Sequence, residues 1–249
     1  WAEGASPETV SVSWLPMSHD MGLIEGVLQP LYRGSPVYLM SPLAFLRRPL
    51  SWLEAISKYR ATVSGGPNFA YELVLRRLGE DPVPDLDLSR WRFAYNGSEP
   101  VSADTIEAFS KRLECRGFRP ESIHPLFGIA ESTLGVTEGR HQKLPRYQQR
   151  VGPGGVRTVV SCGITAPDME LVIVNPETHQ PLPAGEEGEI WLNGPSVTRG
   201  YWRQPDKTRE VFEAQIEGGS KPYLRTGDLG FIVDGEVYIS GRIKEVIVS

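Results

Sequence analysis

Cysteine is scarce: the 249 residues contain two, Cys115 and Cys162. With no CxxC pair or Cys/His cluster, a disulfide framework and a zinc site of familiar spacing are excluded, and a reducing, cytoplasmic setting is expected. Long apolar runs are also missing. No stretch nears the ~20 residues of a membrane span, and Trp1 to Pro7 lacks the basic and apolar regions of a signal peptide. Positive charge is in deficit, with 26 Lys and Arg against 31 Asp and Glu for a net charge of −5. No overall field exists to hold a nucleic-acid backbone or an anionic membrane. A GxGxxG turn, a Walker lysine motif and a Ser/His/Asp spacing are absent too, which removes dinucleotide-fold, P-loop and hydrolase readings as first choices.

What is present is ordinary globular material, 40% hydrophobic and 23% charged, with an excess of turn formers. The 26 glycines and 21 prolines exceed the roughly 12% of average usage, so many backbone positions are committed to turns, caps and close approaches. Over the first 130 or so residues, short strand-like runs (10–14, 37–40, 61–64, 92–95) alternate with helix-period segments. That order predicts an α/β layered fold with a mostly parallel sheet. Asp20 is expected to cap a helix with Leu23, Ile24, Val27, Leu28 and Leu31 on one face. Ser102 is expected to cap another, closed by Gly117. From about Val159 the pattern turns to strands, and Asp234-Gly235 is a two-residue hairpin signal. The expected organisation is an α/β subdomain over 1–158, a smaller β-rich subdomain over 159–241 and a hinge at 242–249. The polar stretch Gly139 to Arg157 reads as an insertion or mobile loop.

Four polar, glycine-bearing segments follow predicted strands, where open α/β sheets bind ligands. The first is Trp14 to Gly22, with His19 and Asp20; it can equally be a capped helix start. The second is Asn96-Gly97-Ser98-Glu99-Pro100, a turn that can read a flat heterocycle edge with backbone groups, or simply a turn. The third is Phe127-Gly128-Ile129-Ala130-Glu131-Ser132-Thr133. It sets an aromatic platform four residues from a carboxylate that could hold a magnesium ion beside a nucleotide. The fourth is Tyr223 to Gly230, where Asp228 can accept hydrogen bonds from a ribose diol or form an Asx-turn. Ser240 to Glu245, with Arg242 and Lys244, follows closely.

In this order the segments resemble the adenylate-forming superfamily of acyl-CoA synthetases, luciferases and peptide-synthetase adenylation domains. His19-Asp20-Met21-Gly22-Leu23-Ile24, Ser64-Gly65-Gly66-Pro67-Asn68-Phe69-Ala70-Tyr71-Glu72-Leu73 and Ala130-Glu131-Ser132-Thr133 are similar specifically to fatty acyl-AMP ligases. The resemblance covers nearly the whole chain. It implies a fold that is part of that superfamily's large N-terminal domain, ATP and Mg2+ as cofactors, and activation of a fatty acid to acyl-adenylate plus pyrophosphate. Transfer to the phosphopantetheine thiol of an acyl carrier protein would follow. An acyl-CoA synthetase and a non-catalytic acyl- or nucleotide-binding module are the alternatives.

Residue by residue, the resemblance implies that Phe127 stacks on adenine beside Gly128, with Asn96, Gly97, Ser98 and Glu99 lining the purine. Glu131 would hold magnesium, Asp228 the ribose hydroxyls, and Arg242 the ribose or α-phosphate side. His19 would stand near the reacting carboxylate. Gly65, Gly66, Pro67 and Phe69 would form the neck and wall of an acyl tunnel, Ser161 and Gly163 would close the carboxylate site, and Lys244 would be the hinge. The chain departs from the family at Phe127, where tyrosine is usual, and in a short stretch between Glu131 and Ser161. The family's phosphate loop and C-terminal catalytic lysine have no counterpart in these 249 residues, so the segment alone is expected to show little or no ligase activity.

Overall fold

A computed structural model describes residues 8–139, 143–152 and 155–245. The chain divides into two compact units, the first comprising described residues 8–125 and 143–147, the second 126–139, 148–152 and 155–245.

The first unit is the expected parallel layer. Strand β1 (Ser11–Ser13) leads into α1 (Asp20–Leu23), a π-helical segment (Ile24–Leu28) and α2 (Gln29–Arg33). Strand β2 (Val37–Leu39), α3 (Pro42–Arg47), α4 (Leu50–Tyr59), β3 (Val63–Gly66), α5 (Asn68–Leu78), β4 (Phe93–Asn96), α6 (Ala103–Leu113) and β5 (Ile123–Pro125) follow. The sheet runs β2-β1-β3-β4-β5 with every pairing parallel. Its core is aromatic: Trp52, Tyr71, Trp91, Phe109 and Phe118 are fully buried and meet edge to face. Each such side chain contributes roughly 1.5–3 kcal/mol by leaving water. Their polar handles are satisfied within the sheet. Trp52 Nε1 donates to Ser64 Oγ at 2.8 Å, Trp91 Nε1 to the Ser64 carbonyl at 3.1 Å, and Ser64 Oγ to the Val12 carbonyl at 2.6 Å.

The first helical stretch corrects two expectations. His19, not Asp20, occupies the N-cap, in extended conformation, and Asp20 opens the first turn. The buried residues are Met21, Gly22, Glu25, Gly26 and Pro30, while Leu23, Leu28 and Leu31 are exposed. Close approach selects this face. A Cβ on Gly22 would sit 2.1 Å from the Pro16 carbonyl oxygen, and one on Gly26 2.8 Å from Ser13 Oγ. The i→i+5 turn then breaks the 3.6-residue period on which the apolar pattern was read. Ser102 caps α6 as expected, its Oγ accepting from Thr105 N at 3.3 Å, and Gly117 ends the following turn at φ 81°.

The second unit is antiparallel. It contains β6 (Thr137–Glu138), β7 (Tyr147–Gly152), β8 (Gly155–Val160), β9 (Ile164–Thr165), β10 (Glu170–Val174), β11 (Gly188–Asn193), α7 (Pro205–Phe212), β12 (Ala214–Gln215), β13 (Pro222–Val233) and β14 (Glu236–Arg242). The main sheet runs β10-β11-β13-β12, with β14 on β13. Asp234 and Gly235 turn β13 into β14 with φ of 52° and 76°, the two positive values that this hairpin demands. The stretch read as an insertion or mobile loop instead contains the two-stranded ribbon β7-β8. The exposure of most of its β8 residues explains the polar, loop-like composition.

Candidate functional site

In the first unit, the chemistry-bearing residues stand where β1, β3 and β4 end. Trp14, just past β1, stacks on Phe45 at 4.0 Å and meets Phe69 edge-on at 6.0 Å. Its Cζ2 edge lies 2.6 Å from where a Cβ on Gly66 would be, so the ring occupies the space that glycine leaves. A Cβ on Gly65 would meet the Tyr95 carbonyl oxygen at 2.1 Å. Pro67 is the N-cap of α5 in extended conformation, and Phe69 is partly exposed beside it. At the strand end Gly65-Gly66-Pro67 the backbone is thus packed closely against the Trp14 and Tyr95 rings. His19 is exposed, its Nδ1 2.5 Å from Asp20 Oδ1 and 3.2 Å from Met21 N.

After β4, Asn96 and Gly97 are buried, and Ser98 takes φ 66°, an uncommon conformation for a residue with a Cβ. Glu99 turns back, and its Oε1 accepts from Phe69 N at 2.6 Å. The turn predicted to line a purine is thus tied to the first residues of α5. Asn68 strengthens the tie through Asn96, Ser102, Glu72 and Thr105.

In the second unit, Phe127 is buried in a cluster with Val136, Cys162, Ile190 and Leu224. It is a wall of the core rather than a free-standing platform. Gly128 is required by contact, since a Cβ there would lie 2.1 Å from the Leu134 carbonyl oxygen. The loop that follows presents Glu131 on a 3₁₀ turn, Ala130–Ser132. It is held by Thr198 N on the Glu131 carbonyl at 2.8 Å, Ser132 Oγ and Ser196 Oγ at 3.0 Å, and Tyr201 OH on Glu131 Oε1 at 2.7 Å. Burial, with the Glu131 carboxylate second, pushes the Tyr201 phenol up to about 12, so it stays a neutral donor at ordinary pH.

Asp228 is buried on β13, directly across from Arg242 on β14, and Arg242 Nε donates to its Oδ1 at 2.7 Å. Gly227 before it has φ 71°, and Asp228 N donates to Thr226 Oγ1 at 3.0 Å. The turn is anchored by Glu189, which is 2% exposed. Glu189 accepts from Arg225 Nη2 at 2.8 Å, Arg225 Nε at 3.1 Å, Trp191 Nε1 at 2.8 Å and Gly227 N at 3.2 Å. Ser161 and Gly163 are buried, but the Ser161 hydroxyl is engaged by Glu236 and by Gly163 N at 3.0 Å. Gly163 takes φ 89°, and a Cβ on it would lie 2.0 Å from the Glu138 carbonyl oxygen. Lys244 is exposed in the 3₁₀ turn Ile243–Glu245, and 246–249 of the expected hinge lie outside the described residues.

Asn68, Trp14, Glu25, Tyr201 and Glu189 were assigned no role from the sequence. Glu25 left a signal there, a carboxylate between Ile24 and Gly26 in an apolar stretch. Burial pushes its carboxyl up to about 8, a rise that the Arg33 charge partly opposes. Tyr201 left none, standing 70 residues from its partner.

No cluster of three or more His, Cys, Asp and Glu able to hold a metal occurs among the described residues. A single carboxylate such as Glu131 suits Mg2+, which keeps its waters and is usually completed by substrate phosphates. Among the described residues, no helix is long and apolar enough to cross a membrane.

The chain belongs to the AMP-binding enzyme family, whose pattern matches residues 1–202. It is 44% identical, over 99% of its own length, to a medium-chain-fatty-acid–[acyl-carrier-protein] ligase of Moorena producens, covering 45% of that protein. It is 39% identical to a long-chain-fatty-acid–AMP ligase of Mycobacterium tuberculosis, over 97% of this chain and 45% of the relative. Among solved structures, fatty acyl-adenylate ligase from L. pneumophila in complex with acyl adenylate and pyrophosphate superposes with a TM-score of 0.92 at 42% identity. That match covers 98% of this chain and 45% of the other. The chain spans about half the length of the relatives it matches.

Proposed function

We propose that the protein to which these residues belong activates a fatty acid with ATP, forming acyl-adenylate and pyrophosphate, and passes the acyl group to the thiol of an acyl carrier protein. The observation that carries the reading is the Asp228–Arg242 pair on a glycine-permitted turn, in a chain this similar to fatty acyl-AMP ligases. In the first step a carboxylate oxygen of the acid bonds to the α-phosphorus of ATP, and the bond from that phosphorus to the bridging oxygen of pyrophosphate breaks. In the second the thiol sulfur bonds to the acyl carbon, AMP leaves with the former carboxylate oxygen, and the thiol proton goes to solvent. Neither step needs a protein nucleophile; positioning and charge neutralisation suffice.

Each residue then has a task. Asp228, held by Arg242, accepts from the ribose hydroxyls, and the guanidinium lies on the ribose and α-phosphate side. Asn96, Gly97 and Ser98 edge the purine; Phe127 offers it an aromatic face, and Gly128 admits close backbone. The Glu99 side chain serves as the brace between this turn and α5. Gly65, Gly66, Pro67 and Phe69 confine the acyl chain, and His19 stands toward the acid's carboxylate. Ser161 and Gly163 close the carboxylate side through backbone, since the hydroxyl is engaged. Glu131, steadied by Tyr201, would hold Mg2+, whose charge neutralises the phosphates. Lys244 is the pivot for a further domain between the two steps.

The test is fatty-acid-dependent ATP–pyrophosphate exchange by the full-length protein. Exchange that requires a fatty acid supports the reading, and exchange that never responds to one contradicts it. Supplying carrier protein or CoA as acceptor then separates the proposed ligase from an acyl-CoA synthetase.

A further inference from the structure

We propose that Asn68 is a positioning residue that fixes the Asn96 amide and so makes the purine turn select a base with an amino group at its six-position, adenine, over one with an oxo group. The inference rests on the reading that Asn96 edges the purine. It starts from two groups whose hydrogen bonds set the Asn68 amide. Ser102 N–H only donates, and it donates to Asn68 Oδ1 at 3.1 Å. The Glu72 carboxylate serves as an acceptor, its Oε1 taking hydrogen bonds from Asn68 Nδ2 at 2.8 Å and from Thr105 Oγ1 at 3.3 Å. Turning the Asn68 amide over would set its NH2 against an N–H and its oxygen against a carboxylate. Asn68 therefore has one orientation.

That orientation is handed on. Asn68 Oδ1 also accepts from Asn96 Nδ2 at 3.3 Å, so the nitrogen of the Asn96 amide is held on the Asn68 side and its oxygen is the atom left for another donor. Asn96 is 1% exposed, and its Oδ1 has no hydrogen-bond partner. A buried acceptor without a donor is costly unless a ligand supplies one. Its location suits a ligand. Asn96 is the last residue of β4, at the C-terminal end of a parallel sheet, where open α/β sheets bind ligands.

The exocyclic amine of adenine is a donor and satisfies this oxygen. The six-oxo group of hypoxanthine or guanine is an acceptor and sets lone pair against lone pair. A site built to pair with a donor rejects an analogue lacking it more strongly than a shape-based site does, because its own buried group is left unpaired. Asn96 supplies the contact, and Asn68, Ser102 and Glu72 decide which atom of the amide makes it.

The experiment compares kcat/KM for ATP and inosine triphosphate, which differ at this position, using fatty-acid-dependent pyrophosphate release by the full-length protein. The unmodified protein is expected to prefer ATP by about tenfold or more. N68A frees the Asn96 amide to turn, and the preference is expected to shrink to within about threefold. The double variant N68D/E72Q keeps an acceptor for both Ser102 N and Asn96 Nδ2 and a donor–acceptor pair between positions 68 and 72, and is expected to retain most of the preference. A purely structural Asn68 would lower both nucleotides together and leave the ratio alone; that result overturns the proposal. So does a ratio near one in the unmodified protein, a measurement that depends on no variant folding. Should N68A not give a cooperative melt, N68S makes the same comparison with a smaller cavity. If no acid supports turnover with either nucleotide, the adenylation reading falls with the proposal, whereas turnover with ATP and an unchanged ratio in N68A removes the proposal alone.

Discussion

The two units solve recognition with different materials. At the strand ends of the parallel unit the working groups are neutral: Asn68 and Asn96 amides, the backbone of Gly65, Gly66 and Gly97, and the Trp14 and Phe69 rings. In the antiparallel unit they are charged groups, each with a stated partner: Asp228 with Arg242, Glu189 with Arg225, and Glu131 with Tyr201. Neutral amides and glycine openings read shape and hydrogen-bond sense, which suits an acyl chain and a base. In the proposed function, paired charges would answer a ribose and phosphates, where charge must be held without reorganising. The Glu99 and Glu72 carboxylates brace the neutral groups from outside, and Glu25 is the exception, a carboxylate buried in the π-turn of the parallel unit.

That contrast can be broken at four points. D228A removes the charged centre of the second unit and is expected to lower adenylate formation in the full-length protein about 10³-fold, roughly 4 kcal/mol of transition-state stabilisation. An unchanged rate would remove the ribose assignment. E25Q tests the exception. Its carboxyl sits at about 8 folded against an ordinary 4.5, so the folded state binds the proton more tightly. Stability therefore falls as pH rises between those values, by about 3 kcal/mol from pH 5 to pH 8. Melts of E25Q are expected to lose that slope, and a slope that persists would place the titration elsewhere. G66A puts a methyl 2.6 Å from Trp14 Cζ2, and the packed ring has to shift. The fatty-acid KM is expected to rise about tenfold, with a loss of about 1–3 kcal/mol in stability. The smallest change is expected from Y201F, about threefold in rate, visible as a rise in the Mg2+ concentration giving half-maximal activity. The Glu131 carboxylate stays in place and loses only the hydroxyl that steadies it.

Much of the scaffold was legible in advance because local chemistry and fold agreed. Asp234-Gly235 needs positive φ at both positions, and Ser102 and Gly117 bracket a helix by capping. The ordered segments were legible for a related reason. Gly65, Gly66, Gly128 and Gly163 stand where a Cβ would collide with backbone or with a packed ring, so no other residue can mark those positions. The face of residues 21–33 was misread because Gly22 and Gly26, not the leucines, decide what approaches the sheet, and a π-turn shifts the period. The ribbon β7-β8 was misread because largely exposed strands have the composition of a loop. Of the site, the candidates came from short motifs, whereas the groups that orient them did not. Tyr201 on Glu131, Glu189 on Gly227 and Asn68 on Asn96 meet across 28 to 70 residues of chain. No local pattern records those meetings.

The most direct test of the account is to follow the acid's own oxygen. Fatty acid labelled with ¹⁸O in its carboxylate is given to the full-length protein with ATP and an acceptor, and the products are weighed by mass spectrometry. Attack on the α-phosphorus predicts AMP carrying one ¹⁸O and unlabelled pyrophosphate. Label appearing instead in inorganic phosphate, with ADP as the nucleotide product, would mean attack on the γ-phosphorus and would contradict the assignment of this chain to acid adenylation.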